Sequence, residues 1–230
     1  MSSQSIDYRN YLRTRWLKFH REFSSLIPYQ DYTVIEQILD AWGATDRGFY
    51  GFGRLTHLLV MLQAARVYIF NYPRFPLRER LALEFALWHL DAKWDPKKNW
   101  STGECVSFAL SNADQLGLGT CVKELIGIFI LAQDRVTNVH LFEFVARDIS
   151  RAWLGSSVGV FMQHLAGLRV SHGVSRGVNP AYARREHKRF VALDREVIFI
   201  TPYFNREFER KAHRNLRMVL AGQFSRFEKA

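Results

Sequence analysis

Cysteine is scarce. The 230 residues hold only Cys105 and Cys121, too few for a disulfide framework and without the paired spacing of a zinc site. Both lie in apolar helical contexts, which predicts two reduced core thiols. Proline is sparse too, at six residues, so few segments are barred from helix. No apolar run reaches the roughly 18–20 residues of a membrane span. The nearest, Leu125 to Ala132, reads as a buried helix, and no membrane partner is expected. A signal-peptide core is missing, and so is any strand-like alternation of apolar and polar residues. There is no glycine-rich phosphate loop and no nucleophile elbow. Cys105 and Ser107 have no evident base nearby, so the sequence offers no covalent catalysis.

What the sequence does have is helical periodicity over nearly its whole length. Tyr8, Leu12, Trp16, Phe19 and Phe23 recur at helical spacing and predict an N-terminal helix over about 6–26. Val34, Ile35, Ile38, Leu39 and Trp42 form the next face, with Gly43 as its stop. Further stripes run through Leu55, Leu58, Leu59, Leu62 and Ala65, then through Leu77, Leu81, Phe85 and Trp88. Ser101 and Glu104 form a capping-box pattern. Thr120 is placed to cap a helix that is apolar nearly all round, which predicts that this helix lies at the centre of the core. Polar residues Asp134 to Asn138 connect to helices over about Leu141–Trp153 and Val158–Val170. The longest expected loop is Ser171 to Pro180. Basic C-terminal helices follow over about 182–221, split near Thr201-Pro202, and no linker divides the chain. The expectation is one all-α helical bundle spanning 1–230.

Charge is of one sign. Lys and Arg number 32 against 22 Asp and Glu, a net +10, which favours polyanions such as RNA or phosphorylated ligands. Arg184, Arg185, Lys188 and Arg189 form one cluster. Arg206, Arg210, Arg214 and Arg217 line one face of the last helix, opposite Phe204, Phe208, Ala212 and Leu216. Tyr182, Phe190, Tyr203 and Phe204 interleave and suit stacking on bases. The competing reading is a solvated face whose charge Glu207 and Glu209 offset in part.

Several separated stretches carry a resemblance. Arg54-Leu55-Thr56-His57 opens one helix. Ala86-Leu87-Trp88-His89-Leu90-Asp91 closes another and is followed by Glu104 and Ser107. Asp148-Ile149-Ser150 precedes Leu154-Gly155, with Arg169 downstream. Glu209, Ala212, Asn215 and Leu216 lie on the last helix. Taken together, the order and spacing of these stretches resemble the predicted metal-dependent phosphohydrolases of the HD superfamily. The resemblance runs from about Trp16 to Leu220. It implies an HD-domain-like helical bundle and a metal-dependent hydrolase with His, His-Asp and Asp ligands. It also implies that His57 and Asp91 face each other.

The chain departs from that pattern where chemistry needs it most. Leu90 stands where the family has the His of its His-Asp pair. His89 comes one residue early, which on a helix is a turn of about 100°. Phe129 and Ala132 replace another patch. The resemblance leaves a vestigial site of His57, Asp91, Glu104 and Arg169, with His57, Asp91 and Asp148 as ligands of a weakly held divalent metal if the site still works. Otherwise no cofactor is expected. His89, His140, His164, His172 and His187 read as structural or surface residues. Three functions stay open. One is a pseudoenzyme that binds or scaffolds, within a larger protein or nucleoprotein assembly. Another is a divergent, active phosphohydrolase acting on a phosphoester or nucleotide. The third is a nucleotide-binding module without turnover. Reduced cysteines imply an intracellular reducing compartment: the cytoplasm, or the mitochondrial matrix if the Ser- and Arg-rich first 23 residues act as a targeting segment.

Overall fold

The computed structural model describes residues 3–43, 48–70, 75–93, 102–137, 140–173 and 180–222. These form ten α-helices and two short 3-10 turns, with no strand among the described residues. The first four are α1 (Ser3–Glu22), α2 (Tyr32–Gly43), α3 (Phe52–Phe70) and α4 (Leu77–His89). A 3-10 turn, Gly48–Tyr50, precedes α3. Next come α5 (Thr102–Gln115), α6 (Thr120–Leu131), α7 (Leu141–Arg151) and α8 (Val158–Ser171), with a 3-10 turn, Ala152–Gly155, after α7. The basic pair is α9 (Pro180–Leu193) and α10 (Pro202–Leu220). No described helix is long and apolar enough to cross a membrane.

The amphipathic stripes fold as expected. Val34, Ile35, Ile38, Leu39 and Trp42 are the buried face of α2, and Gly43 is its last residue. Trp16 of α1 meets Trp88 of α4 edge-on at 5.2 Å. The indole N–H of Trp42 donates to the Trp88 carbonyl at 2.8 Å. Each such large side chain, fully buried, contributes on the order of 2–3 kcal/mol.

Four expectations need correction. The central helix is α4, not α6. Every residue from Leu81 to Ala92 is buried, and α4 packs against α3, α5, α6 and α7. By contrast, α6 turns Leu131 to solvent and half-buries Leu125 and Ile128. The residue capping α6 is Gly119, whose backbone is extended, so Thr120 is already helical. Cys105 is a core thiol, but Cys121 is exposed. The first helix ends at Glu22, four residues early. Ser101, half of the expected capping box, lies outside the described residues. A capping box does exist at α7, where His140 accepts from the backbone and Glu143 returns a bond to the His140 N–H at 2.8 Å.

The last helix is held to the body by three side chains. The Asp148 carboxylate accepts from Thr201 N–H (2.7 Å), Ile200 N–H (3.1 Å) and the Thr201 hydroxyl (2.7 Å), filling orphan donors at the start of α10. Glu209 accepts from the N–H groups of Ile198 and Phe199, both at 2.8 Å. Asn215 donates to the carbonyls of Leu154 (2.8 Å) and Ser156 (3.0 Å). Gly155 permits the close approach: a Cβ there would stand 2.5 Å from the Phe208 carbonyl oxygen.

Candidate phosphate-binding pocket

Arg54, on the first turn of α3, is 5 % exposed and touches three other segments. Its Nε donates to Asp91 at 3.2 Å, and its Nη2 donates to the Ser150 carbonyl at 2.8 Å. The guanidinium stacks 4.9 Å over the Phe49 ring. Nη1 has no hydrogen-bond partner. Asp91, 2 % exposed, is therefore met by Arg54 and not by His57. Both residues sit on α3 three positions apart, so a modest rotation of the helix decides which reaches the carboxylate.

His57 lies against His164 of α8, ring to ring at 4.8 Å. Burial, then the neighbouring His164 and Arg54, drives its pKa down to about 3. Burial and Arg54 likewise lower His164 to about 4. His89 is fully buried. Its Nδ1 lies 2.8 Å from the Phe85 carbonyl and its Nε2 lies 2.9 Å from the Asn112 amide. That pattern assigns the proton to Nδ1 and makes His89 a brace between α4 and α5.

These donors do not fit a divalent metal. Asp148 caps α10, Asp91 is gripped by Arg54, and His57 meets another imidazole. Leu90, fully buried, stands where the resemblance would place a ligand. Among the described residues no three His, Cys, Asp or Glu side chains are placed to hold a metal ion. Glu104 is exposed on the first turn of α5. Arg169 does belong near the site: it pairs with Glu186 of α9 at 2.9 Å.

What the structure gathers instead is a pocket of about 180 Å³ at the meeting of α3, the turn after α7, and α9. Arg54, Arg151, Arg185 and Arg189 line it, with Asp91 and Glu186 as its carboxylates. Both carboxylates are engaged, by Arg54 and by Arg169. Among the described residues no carboxylate lies within ion-pairing distance of Arg151, Arg185 or Arg189. Burial, then Arg147 and Arg189 nearby, lowers the Arg151 pKa to about 10. Cations that repel one another in a half-buried cleft are stabilised by an anion. Tyr50 and Tyr182 also line the pocket. Burial raises both phenols, helped by Asp91 at Tyr50 and by Glu186 at Tyr182. No imidazole or thiol lines it.

The sequence flagged Arg185 and Arg189 as part of a basic cluster but gave no sign that these exposed side chains rim a pocket. Arg54 was visible only as a letter of a motif, and Arg151 not at all, because it sits where α7 gives way to a 3-10 turn and helical register fails. The other cations of these clusters, Arg184 and Lys188 on α9 and Arg206, Arg210, Arg214 and Arg217 on α10, are exposed and lie outside the pocket. Arg206 pairs with Glu207 and lies 5.3 Å over the Tyr68 ring, while Arg217 pairs with Asp194. Of the four aromatics expected to stack on bases, two are buried and two are stacked on other rings. Phe190 and Phe204 are core residues, Tyr203 stacks on Tyr68 at 4.6 Å, and Tyr182 stacks on His172 at 3.6 Å.

No family model, curated protein or solved structure matches the chain.

Proposed function

We propose that this chain is a non-catalytic binding protein of the HD-type phosphohydrolase lineage, which captures the phosphate of a small anionic ligand in the arginine-lined pocket. One observation carries the reading: a guanidinium 5 % exposed, with an unpartnered Nη1, lines a pocket beside three further arginines that have no carboxylate within ion-pairing distance among the described residues. Arginine forks match phosphate oxygens in pairs, and such charge-assisted bonds are the strong ones. Loss of the metal ligands removes hydrolysis and leaves recognition. The expected result is that inorganic phosphate or pyrophosphate raises the melting temperature in a saturable way. Arg151→Gln should weaken that binding about tenfold, since a charge-assisted bond is worth roughly 1.5–3 kcal/mol. It should leave the fold intact, because it relieves repulsion. Titration of both proteins with phosphate decides the matter; equal affinities would sink the reading.

A second reading concerns the outer surface. Residues 180–222 carry ten Lys and Arg against five Asp and Glu, half of the chain's net charge. On this reading Arg184 and Lys188, which have no carboxylate partner among the described residues, face a polyanion such as RNA in a nucleoprotein assembly. Replacing both with Gln should flatten the salt dependence of RNA binding by about 1.4 units of log–log slope, at about 0.7 per lost contact. An unchanged slope would mean that the face is merely solvated.

A further inference from the structure

We propose that the pocket's ligand is a compact sugar or polyol phosphate, and that Glu186 selects its free hydroxyl. The inference rests on the anion-binding reading and supplies the second half of the ligand. Two N–H groups of Arg169 converge on one oxygen of Glu186: Nε reaches Oε2 at 3.0 Å and Nη2 reaches the same atom at 2.9 Å. The other oxygen, Oε1, is buried and has no hydrogen-bond partner. Glu186 as a whole is 6 % exposed. Arg54, of the same lining, carries Nη1, a buried donor with nothing to donate to.

The residues lining one small cavity thus hold an acceptor without a donor and a donor without an acceptor. Each orphan carries the desolvation cost of an unmade bond, and a single molecule relieves both only if it brings an anion and a donor. A bare phosphate does not suffice: near neutral pH it presents mostly negative oxygens, which Glu186 repels. An ammonium group would suit Glu186, but Arg151, Arg185 and Arg189 exclude a cation from the same space. A hydroxyl is the donor that remains. Size points the same way. About 180 Å³ lies below the roughly 300–1,000 Å³ typical of pockets for larger ligands, so the molecule is compact. Leu154, Leu168 and Phe190 on the lining accept its C–H surface.

Calorimetric titration of the full chain tests this with four probes: inorganic phosphate, propyl phosphate, glycerol phosphate and ribose 5-phosphate. Glycerol phosphate and ribose 5-phosphate should bind about tenfold tighter than propyl phosphate, the gain expected of a hydroxyl bonded to a carboxylate. Glu186→Gln keeps the side chain's shape but removes its charge. It should shrink that preference to about threefold or less, and it should also tighten the binding of inorganic phosphate. The opposite signs matter, because a variant that merely loosened the pocket would weaken every probe. If propyl phosphate binds as tightly as ribose 5-phosphate, the hydroxyl assignment is wrong and the anion pocket stands. If no probe binds at all, the anion reading has failed and takes this inference with it. A Glu186→Gln variant that weakens all four probes alike also overturns the selective role.

Discussion

Replacing Arg54 with Met should cost about 3 kcal/mol of folding stability, the low end of the penalty for removing one partner from a buried ion pair. The substitution takes a guanidinium away from a carboxylate that is 2 % exposed, and takes a donor away from the Ser150 carbonyl. It also frees the Phe49 face, over which the guanidinium lies. For a chain of this size a loss of that order lowers the melting temperature by roughly 6–12 °C. Denaturant titration is the direct measurement: the midpoint should fall while the slope stays constant. Adding Asp91→Asn to the Arg54→Met chain should recover part of the loss, since the amide no longer needs a cation. A loss under about 1 kcal/mol would show that the pair is no part of what holds α3 to the rest.

Acid should destabilise the protein well above the pH at which its carboxylates titrate. His57, His89 and His164 are held near 3, 4 and 4, against about 6.5 in an unfolded chain. Burial is the first cause in each. With the folded value below the unfolded one, the unfolded chain takes up protons first, so the stability is fully present above pH 6.5 and drains away as pH falls toward 4. Each histidine approaches about 1.4 kcal/mol per pH unit within that window, and three together approach about 4. Glu84 and Asp148 oppose the trend. Burial raises both carboxyls, so they bind protons earlier in the folded chain and return some stability on the acid side. The net slope should still be steep between pH 6 and pH 4.5. Unfolding midpoints measured across pH 7 to pH 4.5 settle it: a flat profile would contradict the burial assigned to these imidazoles.

The helices were legible because each side of the pattern has a physical cause that sequence records. Ile38 and Trp42 lie one turn apart on a face that must be buried, and Gly43 stops the turn. The core's centre was not legible. Nothing in Leu81-Ala82-Leu83 says that the neighbours on every side are helices, and the more uniformly apolar run at Leu125 to Ala132 reads as deeper than it is. The same limit applies at the site. Arg54 and His57 share a face of α3, and only the packing of α3 on the end of α4 decides that the guanidinium, not the imidazole, reaches Asp91. Asp148 read as a metal ligand because the stretch around it resembles one. Its carboxylate instead accepts the backbone donors of residues 52 and 53 positions away, a pairing that no local spacing encodes. Glu186 lies inside the basic stretch from Arg184 to Arg189, and nothing in that stretch marks it. Its meeting with Arg169 depends on how α8 lies against α9.

The burial of α4 on every side has a consequence for how the molecule breathes. A helix with one wet face can be reached by water when a single neighbour lifts away. The amides of Leu83, Phe85 and Leu87 are walled in by four other helices, so no partial opening exposes them. Deuterium enters such positions only when the whole body comes apart. Their exchange rate is therefore a gauge of the global equilibrium, readable one residue at a time in the intact protein without denaturant. The outward-turned amides at the end of α6, near Leu131, report the smaller local fluctuations.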